Sequence, residues 1–210
     1  MAHILDLPGC FVRAEDQNQA LPQLPKAIHA YRAWLVRHNE EVSFPFNEVQ
    51  IEIEEVVYDI GPFDPGDAAA LFSPEKKSLS TDELEYNIRL LLYSRQDLLS
   101  LVSDLSNQVL DWVASEGAFS IRRLLRHVGN AEEWYVSRLV APDTLPPEWE
   151  HDENLPIFEF LEMERRTAIE RLRQLSPQER TNIYYPSLRT KHPKEAWTAR
   201  KVMRRFLEHE

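Results

Sequence analysis

The spacing of hydrophobic residues divides the chain into regions of different period. From Asp82 onward, hydrophobic residues recur three, four and seven positions apart, which is the spacing of one face of an amphipathic helix. Four such segments follow one another, with apolar stripes that begin at Leu84, at Ile121, at Ile157 and near Thr198. Four helices with one apolar stripe each predict an up-down four-helix bundle.

The first 60 residues have a mixed pattern. Apolar residues from Leu24 to Leu35 recur at helical spacing, and Pro25 suits the first turn of that helix. Residues 47–57, NEVQIEIEEVV, alternate between apolar and polar, which predicts a strand with one buried face. The whole chain is therefore predicted to be α+β, with a small α/β region ahead of the bundle, and mostly helical overall.

Residues 61–81 are rich in Pro, Gly and Ser and have no sustained period, so they are interpreted as a linker. The predicted domains are therefore an α/β region at 1–60, a linker at 61–81 and a helical bundle at 82–210. The bundle begins with Ser80 to Glu83, which match a capping box.

Composition narrows the class of protein. A formal net charge of −11 argues against nucleic-acid binding, because neutralising phosphates requires an excess of Lys and Arg. Basic clusters at 122–126 and 200–205 are interpreted as solvated helix faces. No apolar run reaches the roughly 18 residues of a membrane span, and no signal peptide is visible. We expect a cytoplasmic protein that binds no membrane.

The single cysteine excludes an internal disulfide framework and a zinc cluster built from cysteines. Cys10 lies in the Leu7-Pro8-Gly9 turn region, where packing is its expected role.

Two histidines could carry chemistry. His127 and His209 each lie beside the apolar stripe of a different predicted helix, three or seven residues from its members. Two imidazoles that point inward from two helices of a bundle could share one metal ion. A purely structural role for both histidines is the alternative, and the sequence alone leaves it open.

Two ligands are too few for a stable zinc site, which usually has three protein ligands and a water. Glu164 lies between Leu161 and Ala168 on an apolar face, so it is a candidate third ligand or a supporting partner. The alternative is an ion pair between Glu164 and an arginine such as Arg95.

The segments FSIRRLLRHVGNAEEWYVSRL and WTARKVMRRFLEHE resemble the DinB superfamily. The resemblance covers about residues 82–210 and implies a four-helix bundle with a divalent metal, zinc or nickel, held by three histidines. His127 matches the ligand of the second helix, and His209 matches the first histidine of a His-x-x-x-His pair in the last helix. The partner would lie four residues after His209, so the resemblance implies a C-terminally incomplete metal site.

The segment LDLPGCFVRAEDQNQALPQLPKAIHAYRAWL is similar to the HicB-like antitoxin fold. That fold has a D-L-P-G-C turn followed by a strand, a helix and a final strand. Relatives have one or two strands before the turn, so the resemblance implies a region that is incomplete at its N-terminus.

The DinB-like resemblance implies a metal-dependent thiol transferase or hydrolase, in which the metal activates a thiol or a water. Glu132 and Trp134, which follow His127, are candidate cavity residues, and no catalytic residue is assigned. The alternative is a binding or regulatory module whose acidic N-terminal region contacts a protein partner. The expected partner is therefore a small-molecule thiol or a protein, a homodimer stays open, and whether the chain is an enzyme is left undecided.

Overall fold

The computed structural model describes residues 1–42, 50–58, 69–145, 149 and 154–210. The chain divides into two compact units, Met1–Pro74 and Glu75–Glu210. Among the described residues, no helix is long and apolar enough to cross a membrane.

The first unit begins with a short antiparallel hairpin. Strand β1 (Ala2–His3) pairs with strand β2 (Phe11–Val12). The predicted turn between them is confirmed: Gly9 has a φ of 88°, a backbone conformation that glycine adopts readily. Cys10 is buried in this hairpin, and burial raises the pKa of its thiol to about 12.

Helices α1 (Gln17–Ala20) and α2 (Leu24–Arg37) follow the hairpin. The second confirms the helix that the spacing from Leu24 to Leu35 predicts. The Tyr31 hydroxyl of α2 donates a hydrogen bond to the Pro8 carbonyl at 2.5 Å, which fixes the helix against the turn.

The predicted strand at 47–57 is wrong over the residues that the structure describes. Residues 50–58 have no regular secondary structure, and Ile51 and Ile53 are 42% and 47% exposed. A strand forms only where another strand completes its hydrogen-bond ladder, and residues 50–58 have no such partner in the described chain. The alternation of apolar and polar residues was therefore insufficient to predict a strand. The final strand that the HicB-like resemblance implies is not formed there, and residues 47–49 lie outside the described part.

The second unit contains the predicted bundle. Its long helices match the four predicted segments, and the short α4 was not predicted: α3 (Thr81–Val102), α4 (Asn107–Leu110), α5 (Ile121–Val136), α6 (Ile157–Arg173) and α7 (Ala199–His209). The capping box is confirmed, since Glu83 N–H donates to the Ser80 hydroxyl and Ser80 N–H donates to the Glu83 carboxylate.

Residues 75–81 also pack in this second unit. Glu75 is buried and forms an ion pair with Arg204 at 2.6 Å, and Leu79 is 2% exposed within the main hydrophobic core. Of the segment interpreted as a linker, residues 61–68 lie outside the described part.

The helix directions follow from side-chain contacts at both ends of each pair. Between α3 and α6, Glu85 contacts Arg173, whereas Arg95 contacts the Leu161 carbonyl ten residues further along α3, so the helices are antiparallel. Helices α5 and α7 are also antiparallel, because His127 contacts His209 and Trp134 contacts Trp197.

The remaining neighbours are parallel. Glu83 and Arg95 of α3 contact Arg200 and Glu210 of the α7 segment in the same order. In α5 and α6, Arg126 lies over Phe160, and Glu132 follows as the partner of Arg165. The long helices therefore run up, down, down and up in chain order.

The predicted up-down topology is corrected by this arrangement. Helices α5 and α6 follow one another and yet run parallel, so their connection must return from one end of the bundle to the other. Helix α5 is about 24 Å long at 1.5 Å per residue, and residues 137–156 can span more than that distance. Hydrophobic spacing gives each helix and its buried face but not its direction, so the topology could not be derived from it.

The buried face of α5 differs from the apolar stripe predicted to begin at Ile121, which includes Leu124 and Trp134. Leu124 is 46% exposed and Trp134 is 36% exposed, whereas Gly129 and Glu132 face inward. Gly129 allows close approach of the Phe160 ring, because a Cβ at that position would lie 2.4 Å from the ring. The inward face is thus centred on a small and a charged residue, which an apolar pattern does not mark.

The basic cluster at 200–205 was interpreted as a solvated face, and this was wrong for two of its members. Lys201 is fully buried and pairs with Glu195 at 2.8 Å, and Arg204 is 6% exposed and pairs with Glu75. These partners lie before α7 in the chain, outside the helical window on which the interpretation was based.

Candidate metal centre

The structure brings the two predicted histidines together. The Nε2 atoms of His127 on α5 and His209 on α7 are 3.3 Å apart, and the ring planes are inclined at 55°. His127 is exposed and His209 is half-buried, so the pair lies at the edge of the bundle, open to solvent on the α5 side.

The surroundings of His209 favour a neutral ring. Burial, the neighbouring His127 and the Arg205 guanidinium together lower the pKa of His209 to about 4. The Tyr135 ring packs edge-on against the His209 ring, with centroids 5.7 Å apart, and restricts its orientation. A neutral imidazole is the form that binds a metal ion.

The spacing of the pair fits one metal ion. Zinc–nitrogen bonds of about 2.0–2.1 Å in a tetrahedral site place two ligand nitrogens about 3.3–3.4 Å apart. The observed 3.3 Å matches this separation, and without a metal the two rings share one hydrogen bond, Nε2–H to Nε2, at the same distance. The described residues, however, include no group of three His, Cys, Asp or Glu side chains placed to hold a metal. The chain therefore supplies two converging donors within its described part.

Two arginines and two glutamates form a buried cluster, called here the central ion-pair network, and three of the four line the same pocket as His209. Arg95 of α3 pairs with Glu132 of α5 and, at 2.5 Å, with Glu210 at the end of α7. Arg165 of α6 pairs with the same Glu132, at 2.9 Å, and with Glu210. The side chains are 3–7% exposed, and the positive and negative charges balance.

The network has an approximate two-fold symmetry. Arg95 also donates to the Leu161 carbonyl of α6, four residues before Arg165, and Arg165 donates to the Leu91 carbonyl of α3, four residues before Arg95. Arg95 and Arg165 thus make equivalent contacts from opposite sides of the bundle. The symmetry therefore relates α3, which carries Arg95, to α6, which carries Arg165.

The same symmetry relates α5 to α7. Glu132 lies twelve residues after the N-cap Ser120, and Glu210 lies twelve residues after the N-cap Thr198. In front of each cap an aromatic ring carries a basic side chain, with Arg123 4.0 Å from Phe119 and Lys201 4.2 Å from Trp197. A two-fold axis perpendicular to the bundle relates antiparallel helices. Both pairs, α3 with α6 and α5 with α7, are antiparallel.

Glu164, the candidate third ligand, is fully buried on α6. Burial, and then the charges of Glu133 and Glu132, raise the pKa of its carboxyl to about 8, while Arg95 opposes the shift. At neutral pH the group is therefore mostly protonated. The predicted alternative, an ion pair with Arg95, is replaced by the pairing of Arg95 with Glu132 and Glu210.

The candidate cavity residues have different surroundings. Both carboxylate oxygens of Glu132 accept hydrogen bonds from arginines of the network. Trp134 packs edge-on against Trp197 and donates to the Arg189 carbonyl at 3.2 Å. A small pocket opens beside His209, and its lining includes Glu132 but not Trp134: Val128, Ala131, Glu132, Tyr135, Arg165, Phe206, His209 and Glu210.

Comparison with known protein families identifies the family of the chain. The DinB superfamily matches residues 90–210, more than half of the chain. The chain belongs to the DinB superfamily. The match does not extend to the segment that resembles a HicB-like fold.

A solved structure of YfiT from Bacillus subtilis, described as a probable metal-dependent hydrolase with an unusual four-helix bundle topology, is similar to this superfamily member. The two sequences are 17% identical, the match covers 63% of this chain and 82% of that one, and the TM-score is 0.46. Similarity at this level does not define a shared function. No curated protein matches the chain.

The central ion-pair network was missed at the sequence level. Arg165 was not predicted, and Glu132 was predicted only as a cavity residue, because an apolar stripe is traced through hydrophobic residues and charged ones are treated as solvated. The available signal was the repeat: Glu132 and Glu210 occupy equivalent positions after two similar caps.

Proposed function

We propose that this chain is a divalent-metal-dependent enzyme of the DinB superfamily that acts on a small substrate by activating a water or a thiol. His127 and His209 would hold the metal. The spacing of 3.3 Å between their Nε2 atoms supports this proposal most directly, because it equals the nitrogen–nitrogen distance across a tetrahedral metal ion.

The exposure of the pair favours catalysis over a structural metal. Structural zinc sites are closed by four protein ligands, whereas catalytic sites leave a position for water or substrate. Here two imidazoles converge at the bundle edge, and His127 is exposed. A bound divalent metal would supply a Lewis acid that lowers the pKa of a coordinated water or thiol.

The chain's own residues have separate tasks in this proposal. His127 and His209 each present a nitrogen lone pair. Tyr135 holds the His209 ring by edge-on packing, and burial keeps that ring neutral at physiological pH. The small pocket beside His209, walled by Ala131 and Phe206, has room for no more than about one water molecule.

A metal titration of the full chain tests the proposal. Metal-free protein is titrated with Co²⁺ and followed by visible absorption, and Zn²⁺ affinity is measured by competition. We expect about one metal per chain. Because His127→Ala removes a donor, we expect its dissociation constant to rise by more than the 10–100-fold that loss of an outer partner costs.

His29→Ala is the matched control, since His29 is an exposed histidine on α2 in the first unit. The control should bind metal as the unchanged chain does. Equal metal affinity in His127→Ala and the unchanged chain would contradict the proposed site, because the metal would then be held elsewhere.

A further inference from the structure

We infer that the central ion-pair network, and Glu210 above all, positions His209 for metal binding. The inference rests on the proposed function. Glu210 follows His209 directly in the chain, so the bonds that fix the Glu210 side chain also fix the end of α7 that carries the imidazole. Arg95 and Arg165 hold this carboxylate from two other helices.

The opposite histidine is tied to the same cluster. Glu132 lies five residues after His127 on α5, and the same two arginines hold its carboxylate. The network therefore joins the backbone segments of both histidines through rigid, buried contacts. It sets the distance between α5 and α7 at the level of the pair.

The network also resists small displacements. Each arginine contacts both glutamates and a main-chain carbonyl of the opposite helix. Arginine presents its donors in a planar fork, so moving one glutamate breaks bonds to both guanidinium groups. A carboxylate that leaves this site would uncover a buried positive charge beside the pocket.

The other contacts of His209 do not fix its position along the α7 axis. His127 touches it through one ring nitrogen, and Tyr135 touches it through a ring edge. The core residues Val202, Met203 and Phe206 hold α7 about one to two turns before His209. Two nitrogens that share one metal ion tolerate little displacement, because bond lengths in a zinc site vary by only about 0.1 Å. The network adds fixed contacts at Glu210, the residue next to His209.

Metal affinity of Glu210→Gln tests this role. The substitution keeps the shape of the side chain and removes its charge, so the two guanidinium groups are left to share one carboxylate, that of Glu132. We expect the Zn²⁺ dissociation constant to rise about 10–100-fold, as for outer partners of metal ligands. Glu210→Asp retains the charge on a shorter side chain and should recover part of the affinity.

Two controls separate positioning from a general loss of structure. Glu85→Gln removes the exposed ion pair between Glu85 of α3 and Arg173 of α6. Glu85 lies ten residues before Arg95 on α3, so this ion pair is remote from the histidines. Val102→Ala weakens a buried position in a second hydrophobic cluster, separate from the main core. None of its members contributes a side chain to the histidine pair or to the network: Val102, Leu110, Leu125, Ile157, Phe160 and Leu161. Both controls should change the dissociation constant less than about twofold.

Each outcome has a defined meaning. Unchanged affinity in Glu210→Gln overturns the inference. So does an equal loss in Val102→Ala at matched thermal stability, because the network would then act only through folding. If the unchanged chain binds no metal, the proposed function itself fails, and the inference fails with it; the curve of the unchanged chain alone identifies this case.

Discussion

At the scale of single residues, the most informative groups are charged side chains inside the bundle. Lys201 and Glu164 are fully buried, and the two arginines of the network are nearly so. Each arginine has carboxylate partners, as buried charges require. Glu164 avoids a buried charge in another way, because burial raises its pKa to about 8 and leaves it mostly protonated at neutral pH.

This raised pKa predicts a pH-dependent stability. An acid whose pKa is raised on folding stabilises the fold fully below its unfolded pKa of 4.5, and the contribution is lost as pH rises through about 8. The slope between these values is at most about 1.4 kcal/mol per pH unit. Glu164→Gln stays neutral at every pH and should remove this loss.

Thermal unfolding at several pH values measures the effect. We expect Glu164→Gln to be more stable than the unchanged chain at pH 8–9, with a difference that shrinks toward pH 4.5. Glu162→Gln, an exposed neighbour on α6, should show no such trend. A Glu164→Gln stability curve parallel to that of the unchanged chain would contradict a raised pKa.

Part of the candidate site was predicted from the sequence at this scale. His127 and His209 were named as candidate ligands because each lies beside an apolar stripe and because of the resemblance to the superfamily, and the structure places their rings in contact. Arg165 was missed because its partners, Glu132 and Glu210, are 33 and 45 residues away in sequence. No local pattern connects positions so far apart, and charged residues in helices are ordinarily solvated.

At the scale of elements, the contact between α5 and α6 depends on Gly129. Its missing side chain leaves room for the Phe160 ring, and Arg126 covers the other part of that ring at 4.6 Å. A glycine in the middle of a helix costs about 1 kcal/mol relative to alanine. The close packing offsets that cost.

Gly129→Ala tests this contact. A Cβ 2.4 Å from a fully buried ring forces a shift, and overpacking costs about 1–3 kcal/mol. This cost equals or exceeds the gain of about 1 kcal/mol in helix propensity. We expect a lower free energy of unfolding in urea, and partial recovery when Phe160→Leu is added.

Asn130→Ala is the control, because Asn130 is an exposed position on the same helix and shares the gain in propensity. It should be as stable as the unchanged chain or slightly more stable. A Gly129→Ala variant of equal stability would show that the ring moves freely.

Element boundaries were largely predictable, and the reason is local. Ser80, Ser120 and Thr198 each accept a hydrogen bond from a main-chain N–H three residues later, and such caps are visible in sequence. The strand at 47–57 failed because a strand requires a partner. Alternation describes one strand and says nothing about the existence of the second.

At the scale of the whole molecule, helix direction could not be predicted. The up, down, down, up order depends on the connection from α5 to α6, and an apolar stripe is the same read in either direction. The approximate two-fold symmetry has a counterpart in the sequence, because residues 118–128, AFSIRRLLRHV, and residues 196–206, AWTARKVMRRF, align without a gap. Its meaning became clear only with the paired arginines.

The physical boundary of the bundle predicts which fragments fold. The superfamily match begins at residue 90, but Leu79, Leu84 and Ile88 are 1–2% exposed in the main core. Burial of each contributes roughly 1.5–3 kcal/mol. We therefore expect fragment 75–210 to unfold cooperatively and to bind metal, and fragment 90–210 to lack a cooperative transition.

Circular dichroism during thermal unfolding distinguishes the two fragments. A cooperative transition in fragment 90–210 would mean that the first part of α3 is dispensable. Loss of cooperativity in fragment 75–210 would instead mean that the first unit is needed for the bundle to fold.

The central claim is that His127 and His209 bind one metal ion together. X-ray absorption at the zinc edge of the zinc-loaded full chain tests it most directly. We expect two imidazole nitrogens per zinc at about 2.0–2.1 Å, and fewer than two in His127→Ala. Zinc that is not retained, or that has no imidazole ligand, would contradict the account and favour a non-catalytic binding module.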